Sequence, residues 1–161
     1  MRTMMRLAGC GMVLALAVGG LAADEDKVPL DKLPKAVKDS VKKRFPKAVF
    51  VEATKETEDG ETEYAVTIKV GQTRIDVTLT PEGTITLIER MITGKDLPKK
   101  VMDTLKSRYP RAMIKTITEV IDVNDGKETL DYYEVVLVTT ARKTLEIEIS
   151  ADGTIKTTED K

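Results

Sequence analysis

The chain has 161 residues, 41% apolar and 33% charged, with 26 basic and 27 acidic side chains. That fits one ordinary domain or two very small ones, and aromatics at 4% with no basic excess exclude the usual nucleic-acid surface. His and Trp are absent and the single Cys, Cys10, lies in an N-terminal apolar segment, so a chain without that segment has no imidazole or thiol for acid–base, nucleophilic, disulfide or zinc chemistry.

Residues 1–22 read as a signal peptide. Arg2 and Arg6 form the positive start, Leu7 to Val18 the apolar stretch, and Gly20-Leu21-Ala22 the small-residue cleavage site. Leu7-Ala8-Gly9-Cys10 spells a lipobox, but most of the apolar stretch follows Cys10, so lipid attachment is not expected. Cleavage after Ala22 leaves 24 basic and 27 acidic residues, and no membrane is expected to hold the remaining chain.

Residues 23–31 read as a flexible lead. A helix follows, because Leu33, Val37, Val41 and Phe45 recur every four residues along one stripe. Pro34 is tolerated in the first turn, and Pro46 stops the helix. Lys35, Lys38, Lys42 and Lys43 line the other side, as a solvated face or an anion-docking one. Four strands are then expected. In the first, Val49, Val51 and Ala53 alternate with Phe50, Glu52 and Thr54; in the second, Tyr64, Val66, Ile68 and Val70 form the apolar side. The third places Ile75, Val77 and Leu79 on one side, and Thr84 to Glu89 is the fourth. Asp59-Gly60, Gly71-Gln72 and Pro81-Glu82-Gly83 are the turns between them.

The pattern then repeats. Leu97 to Ala112 matches Leu33 to Ala48 at an offset of 64, with nine of 16 positions identical. Strands are expected over Ala112–Ile121, Tyr132–Thr140, Lys143–Ser150 and Thr154–Thr158. Ser150-Ala151-Asp152-Gly153 matches Thr80-Pro81-Glu82-Gly83 at an offset of 70, and the six extra residues are assigned to the hairpin around Asp125-Gly126. With that alignment, Tyr133, Val135 and Leu137 match Glu63, Ala65 and Thr67, so this strand is apolar on both sides. It is then either a covered central strand or an apolar patch on an open sheet face.

No motif brings catalytic chemistry. The run from Asp122 to Tyr133 places glycine at position 5 and Tyr133 at position 12, which an EF-hand loop does not. Glu146 and Glu148 alternate on one strand without a sign of a catalytic acid. No catalytic residue, metal site or cofactor is expected.

The two copies resemble the PepSY-like (β-lactamase-inhibitor-like) family. The residues that carry this are Leu33-Pro34, Val37, Phe45-Pro46-Lys47-Ala48, Tyr64-Ala65-Val66 and Pro81-Glu82-Gly83, then Leu97-Pro98, Val101, Tyr109-Pro110-Arg111-Ala112, Tyr133-Glu134-Val135 and Ala151-Asp152-Gly153. The resemblance implies an exported domain, a helix packed on an antiparallel sheet, and association with inhibition or regulation of secreted or envelope enzymes, peptidases especially.

The reading is therefore an α+β protein of two tandem α-β-β-β-β repeats, residues 32–90 and 91–161, whose sheets join into one curved eight-stranded sheet or stay apart. It is expected to be periplasmic or secreted, to be no enzyme, and to bind a protein partner such as an envelope hydrolase. The alternative is a sensor of a small ligand or cation. Partner contacts are expected at Tyr133, Val135, Leu137, Arg74 and Asp76, taken to lie on the open sheet face.

Overall fold

The computed structural model describes residues 26–58 and 60–161. The signal segment, the Cys10 lipobox and Asp59 of the first hairpin lie outside the described residues. Nine strands and two helices follow one another as β1 Asp26–Lys27, α1 Lys35–Arg44, β2 Val49–Glu58, β3 Glu61–Val70, β4 Thr73–Leu79, β5 Ile85–Met91, α2 Lys99–Arg108, β6 Met113–Asn124, β7 Lys127–Val138, β8 Thr144–Ile149 and β9 Ile155–Asp160. All nine strands form one antiparallel sheet in sequence order. The count is nine and not eight because part of the expected flexible lead adds β1, with Lys27 opposite Thr54 and Asp26 opposite Lys55.

Each helix is ten residues long, too short to hold in water alone, and is kept by its buried stripe. Leu33, Val37, Val41 and Phe45 pack on β2–β5, and Leu97, Val101 and Leu105 pack on β6–β8. Phe45 and Tyr109, each followed by proline, cap the two C-termini. The two halves meet where β5 pairs with β6, Leu87 opposite Asp122 through Met91 opposite Thr118. Ile88 and Ile121, directly opposed there, are buried in the first core. This shared register places both helices on one side of the sheet and leaves the other side without a helix.

Repeat equivalence extends to the joint. Val28 N–H donates to the Ala53 carbonyl as Ile92 N–H donates to that of Ile117, both at 2.9 Å. Gly94 thus stands where Leu30 packs on the first core, and the second half keeps an open cavity of about 260 Å³ beside it, lined by Met91, Ile92, Ile114 and Ile117 among others. The first strand of each half carries a bulge at the same place, between Phe50 and Glu52 and between Ile114 and Thr116. The bulge interrupts the expected alternation: Phe50 packs on the core, while Val49 and Val51 are exposed.

The longer hairpin of the second half spans both repeats. Its turn is Asp125-Gly126, both at positive φ, as a two-residue hairpin turn requires. Glu128 beside it accepts two bonds from the Arg44 guanidinium of α1, at 2.6 and 2.9 Å, and Arg44 also lies 4.7 Å from the Phe45 ring centroid. A double-mutant cycle with Arg44→Gln and Glu128→Gln should give a coupling of about 0.5–1 kcal/mol, modest because the pair is partly exposed. Arg44 holds the Glu128 carboxyl below its ordinary range, so the coupling is present at pH 7 and fades as pH falls through the lowered value.

The Pro-Glu-Gly and Ala-Asp-Gly turns press against the helices. Gly83 and Gly153 have φ of 87° and 89°, and a Cβ on them would sit 2.6 Å from the Ala36 carbonyl oxygen and 2.8 Å from Thr104 Oγ1. Gly153→Ala should therefore destabilise by about 1–3 kcal/mol in denaturant unfolding. Gly94→Ala should instead stabilise by about 0.4–1 kcal/mol, since its Cβ meets only the flexible end of Met102, 3.4 Å away, and Ile117.

Candidate functional site

The sheet face without helices is the candidate site. Cross-strand pairing assigns its occupants row by row. One row runs Glu52, Thr67, Asp76, Glu89, Val120 and Tyr132; another runs Met91, Thr118, Glu134, Glu148 and Thr157. Five pairs of carboxylates stand directly opposite each other on adjacent strands: Glu56 and Glu63, Glu58 and Glu61, Asp76 and Glu89, Glu134 and Glu148, Glu146 and Glu159. All five are on this face. Directly opposed like charges destabilise a sheet, each by a few tenths of a kcal/mol to about 1 kcal/mol.

Arg74 and Asp76 are on this face, as expected, and are brought together. Arg74 donates to Asp76 at 3.2 Å, to Thr67 Oγ1 at 3.1 Å and to Glu52 at 3.4 Å, while the buried Thr67 hydroxyl donates to Asp76. These bonds occupy both Asp76 side-chain oxygens, and Glu89 faces Asp76 across the strand pair. Lys161, 3.1 Å from Glu146, and Lys156, 2.5 Å from Asp131 and 4.9 Å from the Tyr132 ring centroid, flank the far end.

Tyr133, Val135 and Leu137 are not on this face. They are 5%, 0% and 1% exposed, packed beneath α2 in the second core. Tyr133 lies opposite Ile149 as Tyr64 lies opposite Leu79, so β7 corresponds to β3 at an offset of 69, not 70. Five extra residues are in the β6–β7 hairpin. The sixth is in the β7–β8 turn, where Arg142 at φ 62° extends the two-residue Gly71-Gln72 turn. Misplacing that one residue reverses every side chain of the strand. The open-face residues of β7 are instead Glu134, Val136 and Val138, opposite Glu148, Glu146 and Thr144.

Crowding on this face alters the acids. Burial, then the charges of Asp76, Glu134 and Glu146, raises Glu89 from 4.5 to about 7. Burial and Glu146 raise Glu134 to about 6, with Lys161 opposing. The Tyr132 hydroxyl is pushed up by burial and by the surrounding carboxylates. Glu89 and Glu134 were not singled out in the sequence, although Glu89 alternates with buried Ile88; the like-charge pairing that marks them depends on strand register. Apolar side chains complete the face: Val120 is buried at its centre, and Met91 and Met113 are 39% and 61% exposed at one end. Among the described residues no group of three or more carboxylates is arranged to hold a metal ion.

The architecture is an antiparallel sheet covered by helices on one side, with a charged open side. The chain belongs to the PepSY-like family, described as "Putative beta-lactamase-inhibitor-like, PepSY-like", whose profile matches twice, at residues 22–88 and 86–157. The overlap falls in β5, which pairs with the first strand of the second half. Similar crystal structures include a "putative periplasmic" protein from Bacteroides eggerthii, at 13% identity and TM-score 0.65, covering 79% of this chain and 88% of that one. A DUF2874 family protein from Bacteroides uniformis aligns at 14% identity and TM-score 0.63, over 79% of this chain and 88% of that one. A BLIP-like protein from Bacteroides fragilis aligns at 16% identity and TM-score 0.59, over 78% of this chain and 84% of that one. No curated protein matches the sequence. At these identities the likeness shows the fold.

Glu89 gives a pH test. Its folded value exceeds 4.5, so the folded state binds the proton more tightly than the unfolded chain, and this contribution to stability declines as pH rises from about 4.5 through about 7. Glu89→Gln should stabilise the protein at pH 8 by on the order of 2 kcal/mol and leave it unchanged near pH 4. Thermal melts of both proteins across that range measure the difference.

Proposed function

We propose that the protein is an exported, non-catalytic binding module whose open sheet face docks a cationic segment of another protein, an envelope or secreted hydrolase that it inhibits or regulates. The observation that carries this reading is the gathering of all five opposed carboxylate pairs on the helix-free face. A sheet selected for stability alone would alternate their signs; a face shaped for a basic partner keeps them. Arg74 and Asp76 hold one end of that face in register. Glu89, Glu134 and Glu146 supply the central negative charge, and Val136, Met91 and Met113 the apolar contact. Tyr133, Val135 and Leu137 support this surface from beneath.

Membership of an inhibitor-like family and the periplasmic description of related folds support the assignment to a regulator outside the cytoplasm. Glu89 has the acidity of a general acid or base, but it owes it to burial and like-charge neighbours on a sheet face, not to a cleft that would hold a substrate.

The test is cross-linking capture from envelope extract with the chain from Ala23 onward as bait. Glu134→Lys with Glu146→Lys should reduce recovery of the partner at least tenfold while the far-UV circular dichroism is unchanged; equal recovery would sink the proposal. Capture should also be stronger at pH 8 than at pH 5, because both Glu89 and Glu134 gain charge as pH rises through about 7 and about 6.

A further inference from the structure

Folding separates the charges that nearly cancel in the sequence. Residues 32–47 and 95–111, which hold the two helices and their flanks, contain 13 basic and three acidic side chains. Both helices are on the same side of the sheet, and the five carboxylate pairs are on the other. The buried stripes Leu33-Val37-Val41-Phe45 and Leu97-Val101-Leu105 turn the lysines outward.

Lys35 and Lys99 pair with Asp39 and Asp103 on their own helices, and Arg44 pairs with Glu128. Lys42, Lys43 and Lys47, with Lys106, Arg108 and Arg111 in the corresponding segment of the second half, are exposed. Among the described residues none of these six forms an ion pair. Part of this charge complements the negative helix C-termini, for which Lys42, Lys43, Arg44, Lys106 and Arg108 are placed in the last turns. That role is local to the last turn and does not call for Lys47 and Arg111 beyond the prolines.

We infer that the helix side is a docking surface for anionic phospholipid, holding the protein on a membrane surface with the acidic sheet face turned to solution. The choice of occupant rests on charge complementarity and on the kind of cation. Four of the six are lysines, flexible and strongly hydrated point charges, and among the described residues these six include no guanidinium paired to a fixed carboxylate. Such an array suits a fluid layer of headgroups that can rearrange beneath it. Among the described residues no helix is long and apolar enough to cross a membrane, so the contact is electrostatic and peripheral. The same anionic layer repels the carboxylate face, which fixes the orientation. The near-neutral whole-chain balance gave no reason to expect this contact, because it averages over the two faces.

Both cores and the whole sheet lie within residues 26–161, so the chain from Ala23 onward keeps the fold and lacks the apolar segment that would itself enter lipid. Cosedimentation of that chain with vesicles of phosphatidylcholine containing about a third phosphatidylglycerol tests the inference. Binding is expected in low salt, should fall at least tenfold in 0.5 M salt as the charges are screened, and should be absent on pure phosphatidylcholine. Lys42→Glu/Lys43→Glu/Lys106→Glu/Arg108→Glu should lower it at least tenfold; the milder Lys47→Gln/Arg111→Gln, away from the helix ends, should lower it severalfold without loss of melting temperature. No binding to the mixed vesicles would overturn the inference. So would binding to heparin without binding to vesicles, or equal binding by a folded Lys47→Gln/Arg111→Gln variant.

Discussion

The pairing of β5 with β6 is the contact on which the rest of the structure depends. Five residue pairs, from Leu87 with Asp122 to Met91 with Thr118, turn two small units into one sheet. Neither half could build a large core alone, since a ten-residue helix on four strands covers little area. The join lets Ile121 of the second half complete the core of the first, and the Arg44–Glu128 pair closes the same boundary from the helix side. It also fixes handedness of placement. A strand has only two faces, so once the apolar residues of β5 and β6 share one, both helices must lie there.

That constraint has an electrostatic consequence. With helices on one side only, the other side of the sheet carries polar residues, and the charged ones among them are mostly acids. Lysines fill the outward positions of the helices because the inward ones are apolar. The resulting separation of charge comes from packing, and it leaves the two surfaces with opposite sign. Glu89 and Glu134 are held near the middle of the physiological range because their charges are crowded and half-buried, so the acidic face changes its charge with pH. The local cost of opposed carboxylates on a stable scaffold is the kind of inconsistency that marks a functional surface.

Differences between the repeats locate where each half has been adapted. Gly94 in place of Leu30 opens a cavity at the joint, while Ile117 in place of Ala53 fills part of the same volume. The lengthened β6–β7 hairpin reaches back to the first helix through Glu128 and Arg44, and the β2–β3 hairpin is shorter by five residues. The glycine turns did not change, because Gly83 and Gly153 touch a helix backbone that tolerates no side chain there.

Much of this was determined by the sequence alone. Helix stripes every four residues, the prolines at both ends, the turn glycines and the 64-residue offset are local signals, and local sterics enforce them whatever surrounds the chain. They gave the helices, most strands, the duplication and the place of Arg74 and Asp76. The faces of β7 were decided only by tertiary structure. Val136 and Val138 look as apolar as Val135 and Leu137, so the pattern of the strand is the same from either side, and its orientation turned on one residue in the Arg142 turn, for which the match of Tyr133-Glu134-Val135 to Tyr64-Ala65-Val66 is the signal. Register likewise decided which acids would meet, since Asp76 and Glu89 are 13 positions apart in the chain and adjacent only across a strand pair. Periodicity fixes what an element is; which neighbours it meets is settled by long-range pairing, and the charged surfaces of this protein are a product of that pairing.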